Sequence, residues 1–190
     1  AGTGVVTFNA APDYENPGDA GGDNVYDIVV SASDGVNTTD QAVAITVTDE
    51  NDNAPVFTSA SSFSVAENQT SAFTAVATDA DANDTITYSL SGADAAAFKI
   101  DAATGVVTFV TAPDYETPGD QSFDLIVTAS DGVNSTDQAV TVSVTDVNEA
   151  PVFTSGSTAS VAENQTAAYT AAASDPDLTS PTYSISGGAD

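Results

Sequence analysis

The segment "SFDLIVTASDGVNSTDQAVTVSVTD", residues 122–146, alternates between apolar and polar side chains along two successive runs. A period of two is typical of a β-strand that buries one face and exposes the other. The segment therefore predicts two strands, at about 121–130 and 137–146. The predicted buried faces consist of Phe123, Leu125, Val127 and Ala129, followed by Val140, Val142 and Val144.

Similar runs, rich in Val, Thr, Ile, Phe and Tyr, extend over the preceding residues, and turn-forming residues separate them. Seven short strands within about 95 residues predict an all-β fold, a two-sheet Greek-key β-sandwich. We expect Phe57, Phe73, Phe98, Phe109 and Phe123 to lie in its core. The seven predicted strands are 62–66, 71–78, 84–91, 96–101, 105–110, 121–130 and 137–146.

The chain contains an internal repeat. "GVVTFNAAPDYENPGD" at 4–19 returns as "GVVTFVTAPDYETPGD" at 105–120, and "SVAENQT" at 64–70 returns at 160–166. Self-similarity at this spacing is the signature of tandem repeat proteins.

The repeat predicts one complete unit, residues 55–150, between two partial ones. Residues 1–54 match the second half of a unit, and residues 151–190 match the first half. A counterpart of "AAAFKID", residues 95–101, is missing from the two halves. We therefore expect either one period of a longer array or a subunit whose halves are completed by neighbouring copies.

Composition excludes several functions. The 190 residues carry 28 acidic side chains and a single basic one, Lys99, for a net charge of −27, which disfavours binding to nucleic acid or insertion at anionic membranes. No His or Cys is present, so Ser-His and Cys-His nucleophiles and ordinary zinc sites are excluded. Sites for hard cations, which prefer oxygen ligands, remain possible because carboxylates are abundant.

The acidic residues cluster at turns and unit ends, in the same register in each copy. Examples are "VAEN" at 65–68, "TDAD" at 78–81, "PDYE" at 113–116 and "ASDG" at 129–132. The linker "TDENDNAPVF", residues 48–57, places five successive oxygen-bearing side chains directly before an alanine and a proline. A merely solvated surface predicts acids scattered over exposed strand faces instead.

These motifs resemble those of the cadherin repeat family, including its bacterial and archaeal members. "DENDNAPVF" resembles the D-x-N-D-N-A-P linker between cadherin repeats, "VAEN" resembles the Glu motif of the first strand, and "TDAD" resembles the D-x-D motif. "PDYE" is similar to the D-R-E motif with Tyr115 in place of Arg, and "ASDG" is similar to the late A-x-D-x-G stretch.

The resemblance implies calcium at the junctions between consecutive repeats. Carried onto this chain, junction one comprises Asp13, Glu15, Asp49, Asn51, Asp52, Asn53, Asp79, Asp81 and Asp131. Junction two comprises Glu67, Asp114, Glu116, Asp146, Asn148, Glu149, Asp175 and Asp177. Junction two lacks the Asp of the "ASDG"-like motif, and Asp34 matches that residue. Junction one lacks the Glu of the first strand, and Glu163 matches that residue.

Physical chemistry supports the calcium hypothesis. Calcium takes about six to eight oxygen ligands, and carboxylates a few ångströms apart repel one another unless a cation lies between them. The implied product is an extracellular or cell-surface rod stiffened by Ca²⁺ that becomes flexible when the metal is removed. The second linker "DVNEAP", residues 146–151, is one residue shorter and places Glu149 where the first has Asp-Asn, so junction two is expected to bind fewer ions or to bind them more weakly.

Catalysis is not expected. Paired carboxylates could serve glycoside hydrolysis, but the best placed acids recur in every unit at junction positions, where a structural role accounts for them, and no Trp platform for a sugar is present. Two other hypotheses remain open. The chain could be a calcium-dependent module for surface glycans or for contact with other cells. Complementary half-units could also join neighbouring copies head to tail into a filament. Glycosylation is left open at the sequons of Asn37, Asn68, Asn83, Asn134 and Asn164.

Overall fold

The computed structural model describes residues 3–82, 84–119 and 121–188, and the sequon at Asn83 lies outside them. In this part of the chain the regular structure is almost entirely β, with a single-turn 3₁₀ helix at Ala95–Ala97. The strands are β1 (Val25–Ser33), β2 (Thr38–Thr46), β3 (Val56–Phe57), β4 (Ser62–Ala66), β5 (Ser71–Thr74), β6 (Ala77–Thr78), β7 (Thr87–Ser91), β8 (Phe98–Ile100), β9 (Val106–Phe109), β10 (Ser122–Ser130), β11 (Ser135–Thr145), β12 (Val152–Phe153) and β13 (Ala173–Ser174).

The complete unit forms a sandwich of two main sheets. One sheet has the order β4-β11-β10-β7, and the other has the order β5-β9-β8. Strand β4 is parallel to β11, whereas the β10–β11 and β10–β7 pairs are antiparallel. The predicted all-β sandwich is confirmed.

Alternation along β10 and β11 builds the centre of the core. In β10 the side chains of Phe123, Leu125, Val127 and Ala129 are buried, and Asp124 between them is exposed. In β11 the predicted valines at 140, 142 and 144 are buried as well. The hydrophobic effect thus fixes the register, because a shift by one residue would move each set to the solvent face.

Aromatic rings fill the space between the sheets. Phe98, Phe109 and Phe123 contact one another with ring centroids 4.4–5.4 Å apart, and two of the three pairs are edge-on. Phe73 is also buried, and Phe57 is half-buried against the same core. The five predicted core phenylalanines are therefore confirmed.

Gly105 lies where two strands approach closely. Its φ of +69° is unfavourable for L side chains, and a Cβ at this position would lie 2.2 Å from the carbonyl oxygen of Ala75. The backbone N–H of Ala75 donates to the carbonyl of Gly105 at 2.9 Å. Only glycine permits this contact between the two strands.

The sequence predicted one strand at 71–78, whereas the structure divides it between two sheets. Strand β5 pairs with β9, and β6 pairs with the short β3. The carbonyl of Val76, at the division, instead accepts the N–H groups of Thr58 and Ser59. The chain thus changes sheets where the backbone hydrogen bonds change partners, which period-two alternation does not reveal.

The partial units contain fewer strands. Residues before the first linker form the β1–β2 hairpin, with Val25 paired to Thr46 and Ser33 paired to Thr38. Among the described residues after the second linker, up to residue 188, the short β12–β13 pair is the only regular structure. The division of the chain at 54 and 150 stays a prediction.

Candidate metal centres at the two junctions

The first linker is fastened to the complete unit by hydrogen bonds to acidic side chains. The backbone N–H of Asn53 donates to Asp81 at 2.8 Å, and its side-chain amide donates to the other oxygen of Asp81 at 2.7 Å. The N–H of Ala82 donates to Asp49 at 2.9 Å. Linker and D-x-D loop therefore share one hydrogen-bond network at junction one.

The turn between β10 and β11 closes the same site. The side-chain amide of Asn134 donates to Asn51 Oδ1 at 3.0 Å and to the carbonyl of Asn53 at 2.6 Å. One carboxylate oxygen of Asp131 accepts the N–H groups of Val133 and Asn134. Because the amide of Asn134 is engaged inside the junction, its sequon is a poor glycosylation site.

Two clusters, each of three carboxylates, have the spacing of a metal site at junction one. Ligand oxygens of Glu15, Asp52 and Asp81 lie within 4.8 Å of one another, and so do those of Asp79, Asp81 and Asp84. Asp81, which both groups share, is buried. The residues come from the preceding half-unit, the linker and the complete unit, so a cation there would contact all three.

Junction two is organised around Glu67, whose side chain is only 3% exposed. Its two oxygens accept the N–H of Tyr115 at 2.6 Å and the N–H of Val147 at 2.8 Å. Strand β4 thereby fixes the D-R-E-like loop and the second linker relative to each other.

The second linker contacts the following half-unit in the same way as the first. The N–H of Glu149 donates to Asp177 at 2.8 Å, and the N–H of Asp177 donates to Asp175 at 3.1 Å. Ligand oxygens within 4.8 Å of one another form two groups: Glu67, Glu116 and Glu149, and then Glu116, Asp146 and Asp177.

Buried side-chain oxygens without a hydrogen-bond partner indicate whether the junctions would fit a cation. Among the described residues, seven buried side-chain atoms have no hydrogen-bond partner, and five of them are carboxylate oxygens of junction residues. A buried carboxylate oxygen without a donor is costly, and a cation is its natural partner. The donor set therefore suits a hard divalent ion. The five residues are Asp49, Asp79 and Asp131 at junction one, and Glu149 and Asp177 at junction two.

The pKa values at junction one reflect crowding of like charge. Desolvation and then the carboxylates of Asp81 and Asp131 raise the pKa of Asp84 above its usual value. Desolvation, with smaller contributions from Asp49 and Asp81, raises the pKa of Glu15. Desolvation acts in the same sense at Asp131, but N–H donors from Asn134 and Val133 outweigh it, and the pKa of Asp131 is lowered.

Junction two shows the same crowding. Desolvation and the neighbouring Glu67 raise the pKa of Glu116, and desolvation followed by Asp177 raises the pKa of Asp146. The pKa of Glu149 is raised by desolvation against the opposing hydrogen bond from Asn68. A cation at either junction would relieve this repulsion.

Some predicted ligands lie outside the four clusters of carboxylates. Asp13 accepts the N–H of Asn16 at 3.0 Å, Asp34 caps its own turn through Val36 and Asn37, and Glu163 is exposed. Asp114 accepts the N–H of Glu116, Asn148 donates to the carbonyl of Glu149, and Asp175 accepts the hydroxyl of Thr179. For these residues, as for the members of the four clusters, the assignment as calcium ligands stays a prediction.

Several residues that shape the sites were not predicted from the sequence. Asp84 belongs to the cluster with Asp79 and Asp81, and it accepts a hydrogen bond from the side-chain amide of Asn51 at 2.6 Å. The side-chain amides of Asn24 and Gln121 donate to the carbonyls of Tyr14 and Tyr115, which holds each "PDYE" loop in place. Each of these two amides directly precedes the first strand after its "PDYE" loop, β1 or β10, and this shared position was the available signal.

Comparisons with known proteins agree with the geometry. Residues 61–145 match the family described as Cadherin domain. The human Cadherin EGF LAG seven-pass G-type receptor 1 is 38% identical over 149 residues, which cover 72% of this chain and 5% of that protein. The chain thus spans a small part of the length of the curated relative it matches.

Solved structures show the same fold. Mouse Cadherin-23 EC22-24 superposes with a TM-score of 0.62 at 28% identity, covering 88% of this chain and 57% of that one. The Protocadherin Gamma B2 extracellular cadherin domains 3-6 superpose with a TM-score of 0.53 at 30% identity, covering 63% and 32%. Within the described part of the chain, no helix has the length and apolar character needed to cross a bilayer.

Proposed function

Because this chain belongs to the cadherin repeat family, we propose that it is a segment of an extracellular structural or adhesive rod whose two junctions bind Ca²⁺. The observation that carries the proposal is the set of five buried carboxylate oxygens without donors. Calcium prefers such oxygen ligands, and its variable coordination number suits sites assembled from side-chain and backbone oxygens.

At junction one the calcium ligands would come from Glu15, Asp49, Asp52, Asp79 and Asp81, with Asp84 as an additional carboxylate. At junction two they would come from Glu67, Glu116, Asp146, Glu149 and Asp177. Bound calcium would neutralise these groups and tie the linker to both flanking repeats. The chain's own residues already hold the linker in place through Asn53 and Asp81, so the ion would add rigidity to a preformed connection.

Calcium binding by the purified chain tests this proposal directly. Equilibrium dialysis should show several ions per chain, with affinities in the range of extracellular sites, on the order of 10⁻⁴ to 10⁻³ M. If the ion binds only the folded state, calcium at a hundred times its Kd should stabilise the chain by about 2.7 kcal/mol in thermal unfolding.

A matched pair of substitutions locates the site. Asp79→Asn removes the charge of a carboxylate that has an oxygen without a hydrogen-bond donor. This substitution should lower the number or the affinity of bound ions. Asp124→Asn removes the same charge from the exposed face of β10, and its amide oxygen can still accept the hydroxyl of Thr141. Equal calcium binding by the two variants, or no binding by the parent chain, would refute the assignment.

A further inference from the structure

A buried tyrosine hydroxyl lies next to the D-x-D loop, residues 79–81. Tyr88, in β7, is 9% exposed, and its hydroxyl accepts the backbone N–H of Ala77 at 2.9 Å. Ala77 is also buried, and it begins β6 two residues before Asp79. A buried N–H group needs an acceptor, because leaving it unsatisfied is costly. The hydroxyl therefore fixes the backbone that enters the D-x-D loop.

The ring of Tyr88 packs beside the close contact between Gly105 and Ala75. A Cβ added at Gly105 would lie 3.3 Å from the Cε2 atom of the tyrosine. The backbone N–H of Tyr88 donates to the carbonyl of Ala102 at 2.9 Å. The ring and the backbone of Tyr88 are thus both held, which gives its hydroxyl a defined position at Ala77.

The backbone of Tyr88 reaches a second acidic segment of junction one, the turn between β10 and β11. Tyr88 is paired with Ala129 in the β7–β10 ladder, and Ala129 lies two residues before Asp131. The hydroxyl of the neighbouring Thr87 donates to the carbonyl of Ser130 at 3.1 Å. One residue therefore connects the segment that enters the D-x-D loop to the segment that enters the turn at Asp131.

Strand β6 connects the same point to the first linker. Its two residues pair with those of β3, and β3 directly follows the buried Pro55 at the end of the linker. The carbonyl of Val76, directly before β6, accepts the N–H groups of Thr58 and Ser59 at 2.8 and 3.2 Å. The end of the linker and the entrance to the D-x-D loop therefore lie side by side, and Tyr88 ties both to β7.

The repeat retains this hydrogen bond although the loop between its partners has changed. The hydroxyl of Tyr183 accepts the N–H of Ala173 at 2.9 Å, and Ala173 lies two residues before Asp175. Eleven positions separate Ala77 from Tyr88, whereas ten separate Ala173 from Tyr183. The intervening residues differ in sequence as well. The bond therefore does not depend on one loop sequence or one loop length.

We propose that Tyr88 is a positioning residue of junction one, whose hydroxyl and backbone hold the D-x-D loop and the turn at Asp131 at the separation that a bound cation requires. This inference rests on the proposed calcium function. The hydroxyl is engaged with Ala77, so Tyr88 acts on the cation through the backbone of the two loops. Ligands that are held in place before binding bind more tightly, because less ordering remains to be done. Tyr183 has the same role at junction two.

Amide hydrogen exchange tests the hydrogen bond without metal. In chelator the amide of Ala77 should exchange about tenfold faster in Tyr88→Phe than in the parent chain, because phenylalanine keeps the ring and removes the acceptor. Tyr183→Phe removes the same atom from the last segment and should leave the exchange of Ala77 unchanged. Equal exchange of Ala77 in the parent chain and in Tyr88→Phe would overturn the proposal.

A calcium titration followed by NMR tests the positioning at each junction separately. The backbone amides of Asp81 and Asn134 report on junction one, and the amide of Asp177 reports on junction two. Tyr88→Phe should raise the midpoint calcium concentration of junction one by about tenfold, the usual scale for residues that support metal ligands, and leave junction two unchanged. Tyr183→Phe should do the reverse. An unchanged midpoint of junction one in Tyr88→Phe would overturn the positioning role.

Val140→Ala controls for a loss of stability alone. Val140 is 2% exposed and lies in the middle of β11, so this substitution should lower the melting temperature and leave both calcium midpoints unchanged at temperatures where the chain is folded. Weakening of junction one by Val140→Ala as large as that by Tyr88→Phe would overturn the specific role of the hydroxyl. Absence of calcium binding by the parent chain would overturn the proposed function, and hydrogen exchange in chelator would still decide whether Tyr88 holds Ala77.

Discussion

Gly105 shows how a single residue controls the contact between strands. Its backbone lies in the left-handed region, and the carbonyl of Ala75 occupies the place where a Cβ would be. Two separate costs follow from any side chain at this position: conformational strain and a steric clash with backbone that cannot rotate away.

We expect Gly105→Ala to destabilise the chain by about 2–4 kcal/mol, because strain and clash add. Gly132→Ala is the matched control, since its φ is +100° but nothing lies within 4 Å of the added methyl group. That variant should lose only about 1 kcal/mol. Urea unfolding of the two variants measures the difference, and similar losses would show that the contact with Ala75 relaxes.

Asp84 and Asn134 show the limit of reasoning from motifs. Glu67, Asp79 and Asp81 could be predicted as site residues because they occupy repeated acidic positions. Asp84 and Asn134 reach the site through hydrogen bonds to the linker across 33 and 81–83 residues. Such long-range contacts depend on how the loops fold together, and no local pattern encodes them.

The strands were predicted more completely than the sites. In β10 and β11, alternation specified both the strand and the buried face, since successive side chains of a strand point to opposite faces of the sheet. The division between β5 and β6 was missed because it depends on the carbonyl of Val76, which pairs with a distant segment. Period-two patterns thus predict strands well and changes of sheet poorly.

Each junction loop should respond to protons when metal is absent. The raised pKa values of Glu15, Asp84, Glu116, Asp146 and Glu149 mean that the folded state binds protons more readily than the unfolded state. Their contribution to stability is therefore present at low pH and is lost as pH rises through the folded-state pKa values.

In chelator we expect the melting temperature to rise as pH falls from 7 toward the ordinary carboxyl values of 3.8 and 4.5. Below that range the lowered pKa values of Asp19, Asp34, Asp101 and Asp131 act in the opposite sense, and stability should decline. Thermal unfolding across pH in chelator measures both branches. A steady fall in melting temperature from pH 7 downward would contradict this interpretation of the junction charges.

At the scale of the whole molecule, the linkers decide whether the repeats move together. Glu50 lies exposed in the first linker, between segments that the proposed calcium would tie together. Without the ion, hydrogen bonds hold the linker there while the like charges repel one another, so local opening should be easier.

We expect a glutamate-specific protease to cleave after Glu50 at least several-fold faster in chelator than in calcium. Glu163, exposed on the last segment, provides an internal control, because it lies outside the first linker and its cleavage should change little. Mass spectrometry of the fragments reports both rates. Equal acceleration at the two sites would point to general unfolding rather than to release of the junction.

Lys99 is the single basic residue of the chain, and it lies exposed on edge strand β8. A lysine at a sheet edge discourages unwanted strand pairing. It also leaves trypsin one cleavage point within these 190 residues, so a long peptide lies on each side of Lys99. Peptides of that length are seldom identified in routine proteomic surveys, which would consequently undercount this protein even where it is abundant.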